Sequence, residues 1–380
     1  MKDAVQQMAL IDIYKLSLSS KRSEDILKWM KLKTADVDVH LYLNCSCVRF
    51  LRDGKFIDFP QQGFYSKKEK IPKPLPGEPY EVHNLVSDHI EGCLTMANRF
   101  STLFKFKSCV YRIAHLEKNP EEMKLIISKI LSEPYTELKF TGHHKFESGA
   151  FCFEAMDLEV LVYLMNNVKF DSKLSISAYF PKNFNHENAF KFQEVDYYDA
   201  SWVAMETLKS FRDVGSISLM RTNFNSKDLN GFIIHWVNSD VDMMQDIEIN
   251  IIQFSMFNED EVLDQLITVV IPGTDESGPI YLIKARNTEN RKRILGKLTF
   301  TDSIKGIKLE TLEANEQYKM QLEILELKEK EKDLENEVEE YQKRIGSGSL
   351  KDALQNMMER KKEAEVELAE VRMKLLTLND

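Results

Sequence analysis

Between residues 82 and 270 the chain alternates short apolar segments with amphipathic helices, and no other feature limits its fold as strongly. Met123, Ile126, Ile127, Ile130 and Leu131 stand at i, i+3, i+4, i+7 and i+8, which gathers apolar side chains on one face of a helix. Leu158, Leu161, Val162 and Met165 repeat that spacing, as do Leu229, Phe232, Ile233, Trp236 and Val237. Between these helices fall strand candidates at Leu138 to Thr141, Leu174 to Phe180, Ile217 to Met220 and Ile247 to Ile252. Strands joined by helical crossovers pair in parallel and share one sheet, so the expected class is α/β.

The helix starts at Met123, Leu158, Trp202 and Leu229 lie 35, 44 and 27 residues apart. The pattern therefore predicts an irregular, leucine-rich-repeat-like strand-helix domain, with a conventional α/β sheet as the alternative. Ser226 is expected to cap the helix that starts near Leu229, with Asp228 at the positive end of its dipole, and Trp236 to fill the core. Upstream, Val37, Val39, Leu41 and Leu43 alternate with polar or aromatic residues as in a half-buried strand. Val48 to Leu51 and Phe56 to Phe59 flank Asp53-Gly54 and predict a hairpin. Four prolines between Pro72 and Pro79 predict a surface loop over residues 60 to 80. A second hairpin is expected at the other end, from Ile280 to Ala285 and from Ile294 to Phe300.

The tail changes character. Met320, Ile324, Leu327, Glu331, Leu334, Val338, Tyr341 and Ile345 follow steps of four and three, the seam of a coiled coil. A second seam runs through Leu350, Leu354, Met357, Lys361, Ala364, Leu368, Val371, Leu375 and Leu378. Gly346-Ser347-Gly348-Ser349 separates the two and supplies a stop and a start. The expectation is a C-terminal α-helical coiled-coil hairpin over 309–380, with Glu331 facing the layer of Lys361. Self-association through an open coiled coil is the competing arrangement.

Composition narrows function by exclusion. From Leu309 onward 12 Lys and Arg stand against 19 Asp and Glu, so −7 of the net charge of −10 belongs to the tail and −3 to the rest. A nearly neutral globular part has no basic face for a phosphate backbone, and Lys67, Lys68, Lys70 and Lys73 sit among prolines; no nucleic-acid partner is expected. The longest apolar runs, such as Ile247 to Ile252, are too short for a membrane span, and the N-terminus lacks a signal-peptide pattern. Five cysteines at Cys45, Cys47, Cys93, Cys109 and Cys152 lack zinc-site spacing, and an odd number suits a reducing, intracellular compartment, cytoplasmic or nuclear. The eight histidines include no His-Glu-x-x-His, no phosphate-binding glycine loop precedes a Gly-Lys-Ser/Thr, and no Gly-x-Ser-x-Gly elbow occurs. His143-His144 reads as a surface pair. The chain is expected not to be an enzyme, and to hold no cofactor and no metal.

What remains is the N-terminus. Met8 to Arg22 places Asp12 at the start of a short helix carrying Ile13 and Leu16, and a serine run leads into a second helix through Ile26, Leu27 and Met30. This pair resembles the back half of an F-box, with only Val5 and Met8 left of its first helix. Three further stretches extend the resemblance: the strands of Val37 to Phe59, Phe104-x-x-x-x-x-Val110-Tyr111, and Phe224-x-Ser226-x-Asp228-Leu229-x-x-Phe232-x-x-x-Trp236. In order and spacing they are similar to F-box proteins with a type 2 F-box-associated domain, a family found chiefly in nematodes. The resemblance spans about residue 4 to residue 305. It implies a partial F-box over 1–34, the associated domain over 35–305, and a substrate-receptor subunit of a cullin-RING, SCF-type ubiquitin ligase. A Skp-family adaptor would contact Met8, Ile11, Ile13, Leu16 and Leu18, and a protein substrate would bind the associated domain. The alternative is an interaction scaffold that recruits no ligase and acts through the repeat-like face and the coiled coil.

Overall fold

The computed structural model describes residues 8, 10–30, 32–33, 36–41, 45–52, 55–62, 84–85, 89–114, 119–142, 144–147, 150–153, 155–252, 257–273, 278–301, 305–346 and 351–379. The chain divides into two compact units. The first comprises residues 1–202 and 217–221, and the second residues 203–216 and 222–380.

The first unit begins with helices α1 (Leu10–Ser19) and α2 (Lys21–Met30). Strands β1 (Asp36–Leu41), β2 (Cys45–Arg52) and β3 (Lys55–Gln62) follow, then helix α3 (His89–Leu103). From there come β4 (Ser108–Ala114), α4 (Pro120–Leu131), β5 (Glu137–Thr141), a separate antiparallel strand pair (His144–Glu147 and Ala150–Phe153), α5 (Leu158–Asn167), β6 (Lys173–Ser177) and, with no helix between, β7 (Glu194–Tyr197). The expected hairpin is present as β2 and β3, antiparallel with Arg52 opposite Lys55; Asp53-Gly54, like the loop over 63–83, lies outside the described residues. In the sheet the order is β3-β2-β1-β4-β5-β6-β7. All pairs from β1 to β7 are parallel, and sequence neighbours from β4 onward are sheet neighbours. This is the α/β arrangement that the alternation predicts.

Burial of alternate side chains holds the unit together. Tyr111, Ile113, Leu138, Phe140, Leu174, Ile176, Val195 and Tyr197 are buried along the parallel strands, while Ile126, Ile127, Ile130, Leu161, Leu164 and Met165 supply the helical stripes. Helix α4 starts on Asn119, whose side chain accepts from Glu122 N, with Pro120 in the first turn. Helix α5 starts on Asp157 in the same way. The helix expected to start at Trp202 starts three residues later and is short, Met205–Lys209, while Trp202 itself lies in a turn after β7. Its indole donates to Asp199 O and packs among Phe180, Phe184, Phe190 and Tyr197. A turn of five large rings closes that end of the core.

Strand β8 (Val214–Thr222) gives Ile217–Arg221 to the first unit and its ends to the second. The second unit continues with α6 (Ser226–Asn238), β9 (Met244–Ile251), β10 (Val269–Ile271), β11 (Ile280–Lys284), β12 (Arg293–Thr301) and β13 (Gly306–Glu313). Its strands run β10-β11-β12-β13-β9, all antiparallel. Helix α6 is capped one residue earlier than expected: Asn225 accepts from Asp228 N while Asp228 accepts from Asn225 N, a reciprocal box. Ser226 is instead buried, its Oγ accepting from Asn258 N. Trp236 is fully buried as expected, with the Arg291 guanidinium 4.5 Å above its ring.

Two long helices end the chain, α7 (Lys319–Gly346) and α8 (Lys351–Asn379). Ile324 and Leu334 of α7 share a buried cluster with Ala364, Leu368, Val371 and Leu375 of α8. Lys330 pairs with Glu367, and Arg372 with Glu331 and Glu335. Only four residues separate helices of 28 and 29 residues that pack on each other, too short a reach for a parallel return, so the two run antiparallel. Glu331 therefore meets Arg372 rather than Lys361, which pairs with Glu365 on its own helix. Leu325 of α7 also packs on Leu282 and Leu295 of the sheet. Strand β13 runs across residue 309, the sequence-derived start of the hairpin, and pairs on both sides with β9 and β12.

Candidate recognition surfaces

Two surfaces of the first unit carry chemistry. The first is the helix pair at the N-terminus. Helix α2 starts on Ser20, whose Oγ accepts from Ser23 N at 3.1 Å, and Glu24 N returns to Ser20 O. Arg99 of α3 ties both helices down: its Nη2 donates to Ser17 O at 2.8 Å and lies 3.6 Å from Glu24. The Glu24 carboxyl is held below its usual range, chiefly by the hydrogen bond from Lys28. Tyr14 stacks on Phe100 at 5.0 Å and meets Phe59 edge-on at 5.7 Å.

This anchoring sorts the five residues expected to contact a partner. Ile13 is fully buried beside Tyr14, Met8 and Leu16 are half-buried, and Leu18 is 52% exposed. The side chain of Ile11 lies outside the described residues. Helix α2 adds two apolar side chains that point away from the core, Ile26 at 37% and Trp29 at 84% exposure. Trp29 is the residue that sequence reasoning missed. Leu27 and Met30 form the buried stripe, and a tryptophan off that stripe has little to cover it.

The second surface is the polar side of the parallel sheet. Residues that alternate with the buried set fall into rows across it: Asp38, Val110, Glu137, Lys173 and Glu194 in one, His40, Arg112, Lys139, Ser175 and Asp196 in the next. Their charges meet each other. Arg112 Nε lies 2.8 Å from both oxygens of Asp38, Lys139 is 2.8 Å from Glu137, Lys173 pairs with Glu194, and Ser175 donates to Asp196 at 3.0 Å. Burial would raise the Asp38 carboxyl, but hydrogen bonds from His40 and Arg112 outweigh it and hold the group below its usual value. On the other side of the sheet burial pushes the Cys109 thiol up to about 12, so it stays protonated and packs.

Arg221 departs from this pattern. It sits at the end of β8 with φ 56°, and its guanidinium stands over the rings of Tyr179 and Tyr198 at 5.3 and 5.8 Å. Its Nε is buried with no hydrogen-bond partner among the described residues.

Among the described residues no group of three or more His, Cys, Asp and Glu is placed to hold a metal ion. No helix among the described residues is long and apolar enough to cross a membrane. In the second unit a cleft of about 110 Å³ is lined by Lys284, Arg286, Glu329 and Lys332, but Lys284 already pairs with Glu329 at 2.8 Å and Lys332 donates to Gln265 O.

Comparison with known families places one segment. Residues 175–249, from β6 through β7, the Trp202 turn, β8 and α6 to β9, match a family model described as F-box associated. The match includes Tyr179, Tyr198, Arg221 and Trp236. Searches of curated proteins and of solved structures find no match.

Proposed function

We propose that the chain is a substrate-receptor subunit of a cullin-RING, SCF-type ubiquitin ligase. The observation that carries this reading is the F-box associated match over 175–249, because that family is linked to substrate recognition rather than to catalysis. In this reading residues 1–34 are an F-box truncated at its N-terminus, and residues 35–305 are the associated domain with leucine-rich-repeat-like connectivity. The terminal helices α7 and α8, within the expected span 309–380, are in this reading the coiled-coil hairpin, and the protein works inside the cell. A Skp-family adaptor would meet Met8, Ile11, Leu16 and Leu18 together with Ile26 and Trp29, while Ile13 would act by holding α1 in place. Three apolar side chains at 37 to 84% exposure offer a hydrophobic contact whose burial would contribute several kcal/mol.

The test is capture of a purified Skp-type adaptor by the full chain, alongside a Leu18→Asp/Trp29→Ser double variant. The expected result is binding by the unmodified protein, weakened at least tenfold by the double change. Failure of the unmodified chain to bind would sink the ligase reading.

One observation favours a second reading. Ile13 and Tyr14, which a docking helix could offer to a partner, are taken into the core of the chain itself. An interaction scaffold that recruits no ligase would then work through the sheet face and the terminal helices. Self-association belongs to this reading, since Val366, Met373 and Leu376 form an exposed apolar stripe on α8.

A further inference from the structure

Every cation in the two central rows of the sheet face has an acidic partner within that face, so those positions have no unpaired positive charge to offer a ligand. Arg221 is the exception. No carboxylate and no hydrogen-bond acceptor among the described residues meets its guanidinium, and Nε is shielded from solvent. A guanidinium carries five donors and is not deprotonated in proteins, so leaving it half-buried without an acceptor costs free energy. Its backbone adds to that cost, because φ 56° is a left-handed conformation in which a Cβ is crowded. Two tyrosine rings hold the group by their faces. Face contacts leave the in-plane N–H donors unused, and those are the donors that match the two oxygens of a carboxylate or the face of a phosphate. Tyr179 and Tyr198 lie just beyond the ends of β6 and β7, the edge of an α/β sheet at which ligands are commonly bound.

We propose that Arg221, between Tyr179 and Tyr198, is the binding site for an oxyanion, carboxylate or phosphate, carried by a bound protein segment. The chemistry of the site stands by itself; only the source of the anion, a protein partner, rests on the receptor reading. Strain at Arg221 and the aromatic walls are the means by which the site keeps a cation with no acceptor among the described residues. An incoming anion supplies the missing acceptor, and the bidentate geometry favours a planar or tetrahedral oxyanion over chloride.

The experiment is thermal unfolding of the full chain titrated separately with inorganic phosphate, acetate and chloride at matched ionic strength. Native-state binding raises the midpoint in a saturable way. The expected result is stabilisation by phosphate or acetate but not by chloride, with apparent affinity reduced at least tenfold in Arg221→Gln. Arg221→Lys, which keeps the charge and loses the bidentate fork, should lie between them. The larger response, phosphate or acetate, tells a phosphorylated side chain from a carboxylate as the source. Should Arg221→Gln fail to fold, Tyr198→Leu replaces it, removing one wall while leaving the cation. Equal responses in wild type and variants, or no response to either oxyanion, would overturn the site. A Trp29→Ser variant should respond as wild type does, so failure of adaptor docking and failure of the anion site are read separately.

Discussion

Asp38 sets how the sheet face responds to acid. It accepts from Arg112 at 2.8 Å and lies 3.3 Å from His40, and these contacts outweigh the burial that would otherwise raise its carboxyl. A carboxyl whose value is lower in the folded state contributes stability that is fully present above its unfolded value and lost as pH falls through the folded one. The ordinary value is 3.8, so the contribution should be intact at neutral pH and should fade below that point. Asp38→Asn should cost about 1 kcal/mol at pH 7 and much less at pH 3, once partial exposure is allowed for. Denaturant unfolding of both proteins at the two pH values checks this; an equal loss at both would mean that packing, not charge, is what Asp38 provides. Arg221 belongs to the same scale and was not legible in the sequence. Its tyrosines are 42 and 23 residues away, and only the folded chain, with a left-handed backbone at Arg221, brings the three together.

At the scale of elements the sequence was most readable where a period repeats. The stripes of α4, α5 and α6 and strands β5, β6 and β8 lie where 3.6 and 2 residue periods put them, because burial of one face fixes the period, whereas the four-residue β7 was too short to show one. Termini were harder. Asn225 and Ser226 are both competent caps, and only the reciprocal bond with Asp228, three residues after Asn225, selects the first. The terminal helices show the same limit: both seams were visible, but their relative register was not, since Arg372 reaches Glu331 from beside the seam. The start of β13 had no apolar signal strong enough to separate it from the tail, and Gly306 explains part of its demand for fit. A Cβ there would lie 2.1 Å from the Ile249 carbonyl oxygen and 2.6 Å from Asn250 Oδ1. Because a backbone atom is in the way, Gly306→Ala should shift the β9-β13 pairing and cost about 3 kcal/mol, measured by the midpoint of denaturant unfolding. An unchanged midpoint would show that the strand pair yields at little cost.

For the whole molecule, the terminal helices decide whether the protein works alone. Leu368, Val371 and Leu375 of α8 are buried against α7, while Val366, Met373 and Leu376 repeat at steps of seven and three on another side, 54 to 65% exposed. A helix with a second apolar stripe tends to find a second partner. Sedimentation of the full chain over a hundredfold range of concentration should show reversible self-association, and Met373→Lys should suppress it. A strict monomer throughout would assign the stripe to a different protein or to none. The path of the chain carries its own consequence. It leaves the first unit after Trp202, returns for Ile217–Arg221 and leaves again, so the border is crossed three times within about twenty residues. No single nick can part the two halves into fragments that are each whole, and gene-level shuffling that exchanged one half for another would have to cut inside a strand. The two halves are therefore expected to be inherited, synthesised and degraded as one piece.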